Sequence, residues 1–182
     1  RRFGLIVNPI AGMGGKVGLK GTDGEEIVKK ALLLGAKKVA PNKAKITLKY
    51  IKDNIDELEV FTYPGDMGEK ECKELGISAV VVGNINMDNT TYLDTEKAAL
   101  RMIEEKVDLI LFAGGDGTAR NIYESVGDRV PVIGIPAGVK IHSAVFATNP
   151  LNAGRIVVDF FNSENVEIRD SEVMDIDEEQ FR

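Results

Sequence analysis

Three glycine-rich stretches in this chain each follow directly on a short apolar run, and that arrangement restricts the fold more than any other feature. The runs are residues 3–7, 109–113 and 132–135, and the stretches behind them open at Asn8, Gly114 and Pro136. An apolar run of about four to eight residues that ends at glycine or proline reads as a buried strand. Between these strands the pattern turns helical. Pro41 opens a segment in which Ala44, Leu48, Ile51 and Ile55 fall on one helical face. Strands are expected at 58–63 and 79–82, the latter buried, and helices at about 25–34, 69–75, 95–106, 119–126 and 150–161, the last capped by Asn149. Such alternation predicts an α/β fold, a three-layer open and mainly parallel sheet with helices on both faces. Ligands bind such sheets outside the carboxyl ends of the strands, where all three glycine stretches gather.

Composition narrows the class. A chain of 182 residues with 43% hydrophobic and 29% charged residues has enough apolar mass for one ordinary core. A net charge of −6 exerts no global pull on nucleic acid or anionic lipid, so neither is an expected partner. No apolar run approaches the roughly 20 residues of a membrane span. The single cysteine, Cys72, excludes an internal disulfide framework and a multi-cysteine metal site, and its place in a short charged helix reads as inert. The cytoplasm is the expected location. The chain starts without Met and its tail has no closing element, so it reads as a piece of a longer protein.

The chemistry concentrates in Gly114-Gly115-Asp116-Gly117-Thr118, between a buried strand and a helix. Three glycines let the backbone approach a bulky anion, and the free N–H groups at a helix start favour phosphate. The hydroxyl of Thr118 is a further donor. Asp116 is the odd member, because a carboxylate beside phosphates repels them unless it binds a metal ion or takes a proton. The bland alternative is a tight turn with Asp116 as a helix cap. Around the first loop, Lys16, Lys20 and Asp23 are either phosphate, metal or ribose contacts, or ordinary solvated charges. His142, the only histidine, stands after the third loop as a ligand contact or a structural residue, and a lone histidine argues against a histidine-based metal site. Thr90, Thr91, Asp94 and Thr95 read as a polar loop that caps the following helix, with Thr95 also a candidate contact.

Two familiar phosphate loops fail on inspection. A Walker A loop needs Ser or Thr after Gly-Lys, whereas Gly15-Lys16 is followed by Val17, and Ile10 holds the place of the first glycine. The dinucleotide fingerprint needs a third Gly or Ala where Val17 stands.

The segment Phe112-Ala113-Gly114-Gly115-Asp116-Gly117-Thr118-Ala119-Arg120 resembles the signature shared by NAD kinases, diacylglycerol kinases and sphingosine kinases. Asn8-Pro9-Ile10-Ala11-Gly12 is similar to the first-strand motif of that superfamily, and Gly134-Ile135-Pro136-Ala137-Gly138-Val139-Lys140 to its third loop. Together with Met13-Gly14-Gly15, Lys20-Gly21-Thr22-Asp23-Gly24 and Ile141-His142-Ser143-Ala144, these look like the archaeal and bacterial branch that includes the acetoin-catabolism X protein. The resemblance implies a Rossmann-like NAD-kinase N-terminal domain over residues 1–163. Residues 164–182 would then be a linker or the start of a β-rich second domain. It implies phosphoryl transfer from ATP, or polyphosphate, to the 2′-hydroxyl of NAD, with Mg²⁺ or another divalent cation and a homo-oligomeric enzyme. Asp116 becomes the catalytic residue. Asn8, Gly12, Gly14, Gly15, Gly114, Gly115, Gly117, Thr118, Gly138 and Lys140 become the nucleotide contacts, with Lys20, Asp23, Thr95 and His142 beside them. The Asn-Glu pair of the NAD pocket is absent from these residues. A lipid kinase and a nucleotide-binding regulator without turnover are the alternatives.

Overall fold

The computed structural model describes residues 1–12, 39–86, 90–137 and 143–162. Its elements follow the order β1 (Arg2–Val7), α1 (Ala40–Asn54), β2 (Glu59–Thr62), a 3₁₀ turn (Gly65–Met67), α2 (Glu69–Glu74), β3 (Ala79–Val81), α3 (Tyr92–Glu104), β4 (Leu109–Gly114), α4 (Asp116–Val126), β5 (Val132–Pro136) and α5 (Pro150–Asn162). The five strands form one all-parallel sheet in the order β3-β2-β1-β4-β5. The helix expected at 25–34 lies outside the described residues.

Strand periodicity separates two cores. Phe3, Leu5, Val7, Leu109, Leu111 and Ala113 face one side, where Leu48 and Ile51 of α1, Cys72 of α2 and Ala153 and Val157 of α5 cover them. Ile6, Ile110 and Phe112 face the other, under Ala98 and Met102 of α3 and Ile122 of α4. Burial of each such large side chain contributes roughly 1.5–3 kcal/mol, so the central strands β1 and β4, buried on both faces, anchor the domain. Gly4 is part of that fit: a Cβ there would stand 2.7 Å from Met102 Sδ.

Faces and directions agree with one handedness. α1 and α2 carry the chain from β1 outward to β3 on one face; α3 and α4 carry it back and on to β5 across the other, as right-handed crossovers require. The strand order therefore reverses between β1 and β4. That is the topological switch point, and both carboxyl ends there carry glycine motifs.

Two expectations are corrected. The helix expected from Thr95 begins at Tyr92, because Thr91 and Asp94 form a capping box: Leu93 N–H donates to Thr91 Oγ1 at 3.2 Å and Thr91 N–H to Asp94 Oδ2 at 2.8 Å. Strand 79–82, read as buried, is instead the sheet edge. Val80 is 51% and Val81 40% exposed.

Candidate phosphate-binding site

At the carboxyl end of β1 the chain turns on Asn8. Its own N–H donates to the Ala113 carbonyl of β4 (2.9 Å), and its carbonyl accepts from Ala11 N–H (3.1 Å). Its side chain works in two directions. Oδ1 accepts from Ile10 N–H (3.3 Å), which shapes the Pro9-Ile10 turn, while Nδ2 donates to Thr118 Oγ1 (3.0 Å) in α4. One residue thus ties the first glycine stretch to the second. Because Thr118 Oγ1 receives that bond, its own proton is directed to another acceptor.

The Gly114-Gly115 pair is the joint between β4 and α4. Gly114 has no room for a side chain, since a Cβ would run into the Thr118 side chain. Gly115 is extended and precedes the helix (φ −113°, ψ −166°), whose first internal bond runs from Ala119 N–H to the Gly115 carbonyl (3.1 Å). The N–H groups of Asp116, Gly117 and Thr118 consequently have no acceptor within α4. They form the positive end of its dipole. Gly117 differs from Gly114: a Cβ there meets nothing within 4 Å, so the helix start is open on that side. An anion can approach the backbone there.

The third stretch closes the other side. Ala137 N–H donates to the Gly114 carbonyl (3.0 Å), and Ser143 N–H donates to Asp116 Oδ1 (2.9 Å). Asp116 is only 6% exposed and Thr118 is buried too. Gly12 lies against the Ala137 carbonyl oxygen, which leaves no room for a Cβ, and its left-handed backbone (φ +84°) independently favours glycine. The three loops are therefore bonded to one another around the start of α4.

Of the expected site residues, the structure brings together Asn8, Gly12, Gly114, Gly115, Asp116, Gly117 and Thr118. Thr95 is buried in the first turn of α3, which packs on α4. Gly14, Gly15, Lys20, Asp23, Gly138, Lys140 and His142 lie outside the described residues. Sequence reasoning missed the hold of Ser143 on Asp116. A main-chain donor leaves no trace in residue type, so no signal in the sequence pointed to it. Among the described residues no group of three or more His, Cys, Asp or Glu side chains is placed to hold a metal ion, and no helix is long and apolar enough to cross a membrane.

Two solved structures match part of the chain at low similarity. They are the UDP-GlcNAc 2-epimerase from Neisseria meningitidis bound to UDP-GlcNAc (15% identity, TM-score 0.39) and another UDP-N-acetylglucosamine 2-epimerase (13% identity, TM-score 0.38). The matches cover 74% of this chain and 31% and 32% of those proteins, so the chain spans about a third of their length. No curated protein matches the chain significantly. The family model of the ATP-NAD kinase N-terminal domain, in contrast, matches residues 3–165. With the Gly-Gly-Asp-Gly-Thr loop set at the switch point of a parallel sheet, the chain belongs to the ATP-NAD kinase family and carries its N-terminal domain.

Proposed function

We propose that this chain is the donor-binding part of a kinase that moves a phosphoryl group from ATP, or polyphosphate, to the 2′-hydroxyl of NAD. The observation that carries the reading is the bonding of three loops around one helix start, Asn8 to Thr118 and Ser143 to Asp116. In phosphoryl transfer the protein's work is positioning and charge stabilisation. The N–H groups of Gly117 and Thr118 and the Thr118 hydroxyl hold the donor phosphates at the positive end of α4. Gly12, Gly14, Gly15, Gly115 and Gly138 keep the loop backbones close to them, and Lys20 and Lys140 add positive charge. In the reaction the acceptor oxygen bonds the terminal phosphorus, the bond to the bridging oxygen breaks, and ADP leaves with that electron pair. The acceptor's proton passes to the Asp116 carboxylate.

Mg²⁺ suits this donor set. It is held by one or two carboxylates plus phosphate oxygens rather than by an all-protein cage, and Asp116 at the start of α4 would offer that combination together with the donor phosphates. When bound it neutralises phosphate charge. We assign the enzyme to the cytoplasm and expect it to be a homo-oligomer.

The test is NADP formation by a protein that contains this domain and the acceptor half, beside its Asp116→Asn variant. An active parent with a variant slower by at least ~100-fold supports the reading. Nucleotide binding with no turnover in the parent would establish the regulator instead. Equal rates in parent and variant would remove Asp116 from the chemistry.

A further inference from the structure

Thr118 brings a buried hydroxyl to the first turn of α4, where it is 4% exposed and its Oγ1 accepts from Asn8 Nδ2 (3.0 Å). The direction of that bond is fixed from the other end of the amide. Ile10 N–H can meet only an acceptor, so its bond (3.3 Å) turns Asn8 Oδ1 toward the Pro9-Ile10 turn and leaves the amide NH₂ for Thr118. The hydroxyl proton therefore cannot go to Asn8. A helical threonine commonly gives it to the carbonyl four residues back. Here that is the Gly114 carbonyl, which receives Ala137 N–H (3.0 Å) instead. Among the described residues no acceptor takes the Thr118 proton. A buried donor without an acceptor is unfavourable, and at the positive end of a helix an anion is the partner that relieves it.

We propose that Asn8 is a positioning residue for the phosphoryl donor: it acts through Thr118, fixing that hydroxyl as a hydrogen-bond donor to a phosphate oxygen, rather than by touching the nucleotide. The inference rests on the reading of the α4 start as the donor-phosphate site. The main-chain N–H groups there can only donate, whereas a hydroxyl can turn either way. Left to itself, it could accept from a water or from a protonated phosphate. With Asn8 giving, every group of the first turn offers a proton, and the ligand so selected is one that brings acceptors only, an unprotonated phosphate. A donor held in this direction beforehand needs no reorientation when the ligand arrives. Asn8 follows β1 and Thr118 lies in α4, so this polarity exists only while the first two loops are joined.

Asn8→Asp isolates this role. Its Oδ1 still accepts from Ile10, so the turn is kept, but the group facing Thr118 becomes an acceptor that takes the hydroxyl proton. The new charge also repels phosphate. Thr118→Val measures that part alone, because no hydroxyl remains to be turned. The readout is calorimetric affinity for inorganic phosphate, without Mg²⁺, across the four proteins of this double-mutant cycle. Asn8→Asp should lower affinity by at least ~10-fold more in the Thr118 protein than in Thr118→Val, the scale of one hydrogen bond to a charged group. Thr118→Val alone should bind at least ~10-fold more weakly than wild type, and Thr118→Ser, which keeps the hydroxyl, should bind as wild type does. Should Asn8→Asp not fold, Asn8→Ala carries the same comparison: Thr118 then chooses its own direction, and the loss must still be larger where the hydroxyl is present. Equal losses in both backgrounds would mean that Asn8 acts by charge or loop shape alone and would overturn the proposal. So would undiminished phosphate affinity in a folded Thr118→Val protein. No turnover enters the measurement, so the two readings fail separately. The expected coupling in a protein that forms no NADP would strike the kinase and leave Asn8 in this role, whereas NADP formation with equal losses would strike the role of Asn8 alone.

Discussion

Glu71 is a carboxyl group that the fold holds in the wrong solvent. It lies in α2 at 2% exposure, and its Oε2 has no hydrogen-bond partner. Burial pushes it from 4.5 up to about 8; Asp66 and Glu74 act in the same direction, while its own backbone N–H and Lys45 of α1 oppose them. A carboxyl raised in the folded state favours folding only while protonated in both states. Its contribution is complete below the unfolded value of 4.5 and is lost as the pH climbs toward 8. Each pH unit in that window costs about 1.4 kcal/mol, so at pH 7 the penalty reaches about 3 kcal/mol as an upper figure. Relaxation around the carboxyl reduces it, and about 1–3 kcal/mol is the working range. Glu71→Gln keeps the shape and removes the titration. Its amide adds an unsatisfied donor, but that cost does not vary with pH, so the difference in slope is diagnostic. Thermal melts at several values from pH 5 to 8.5 should show wild type losing ground to the variant by about 2–4 °C per kcal/mol. Parallel curves over that range would mean that Glu71 is solvated or paired, and the burial argument would be wrong.

Three further outcomes follow from the site and the core. Asp116→Asn should keep the fold, lower turnover by at least ~100-fold and bind inorganic phosphate or metal-free ATP more tightly than wild type, measured by rate assay and by calorimetry without Mg²⁺. Gly117→Val should fold, because its Cβ enters open space, yet lose ATP affinity; Gly114→Ala should lower the thermal midpoint because it strikes Thr118. Undiminished ATP binding by a folded Gly117→Val protein would move the phosphates elsewhere. The Cys72 thiol, raised by burial to about 12 with Glu71 adding to the effect, should resist thiol reagents at pH 8 until the protein is unfolded.

What could be read from residues alone was set by local chemistry. β1, β4 and β5 were legible because each apolar run stops at a residue that forces a turn, and the joint between β4 and α4 because glycines cluster round a single carboxylate. The position of β3 was not. Ala79-Val80-Val81-Val82 is as apolar as β1, and hydrophobicity does not report how many neighbours a strand has. The start of α3 was misplaced because Thr91 and Thr95 are equivalent as residue types; only the reciprocal bond with Asp94 selects Thr91. Glu71 stands among the charged residues of a short helix, where sequence gives no sign of burial, and the packing of α2 against α1 and the sheet buries it. The bond from Ser143 to Asp116 spans 27 positions and uses a main-chain donor, which no pattern of side chains encodes.

Asp116 stands in two opposed relations, and their conflict is the strongest physical argument about what the site does. As first residue of α4 it meets the positive end of the helix dipole, which is worth about 0.3–1 kcal/mol, and more where solvent is partly excluded. Its Oδ1 also holds the third loop through Ser143. Without ligand, then, the carboxylate helps to assemble the site. Yet the helix-start N–H groups that attract it are those a phosphate would use. Two unit negative charges about 4 Å apart repel by about 4 kcal/mol at an effective dielectric of 20. Asparagine would keep an acceptor for Ser143 and shed the charge, so a domain that only bound phosphate would do better with it. An aspartate there would weaken any phosphate binding at these loops, and only a step that needs a proton acceptor or a metal ligand offsets the loss. Tighter phosphate binding by Asp116→Asn joined to lost turnover is therefore the signature of a kinase. In a regulator the same variant gains affinity and loses nothing.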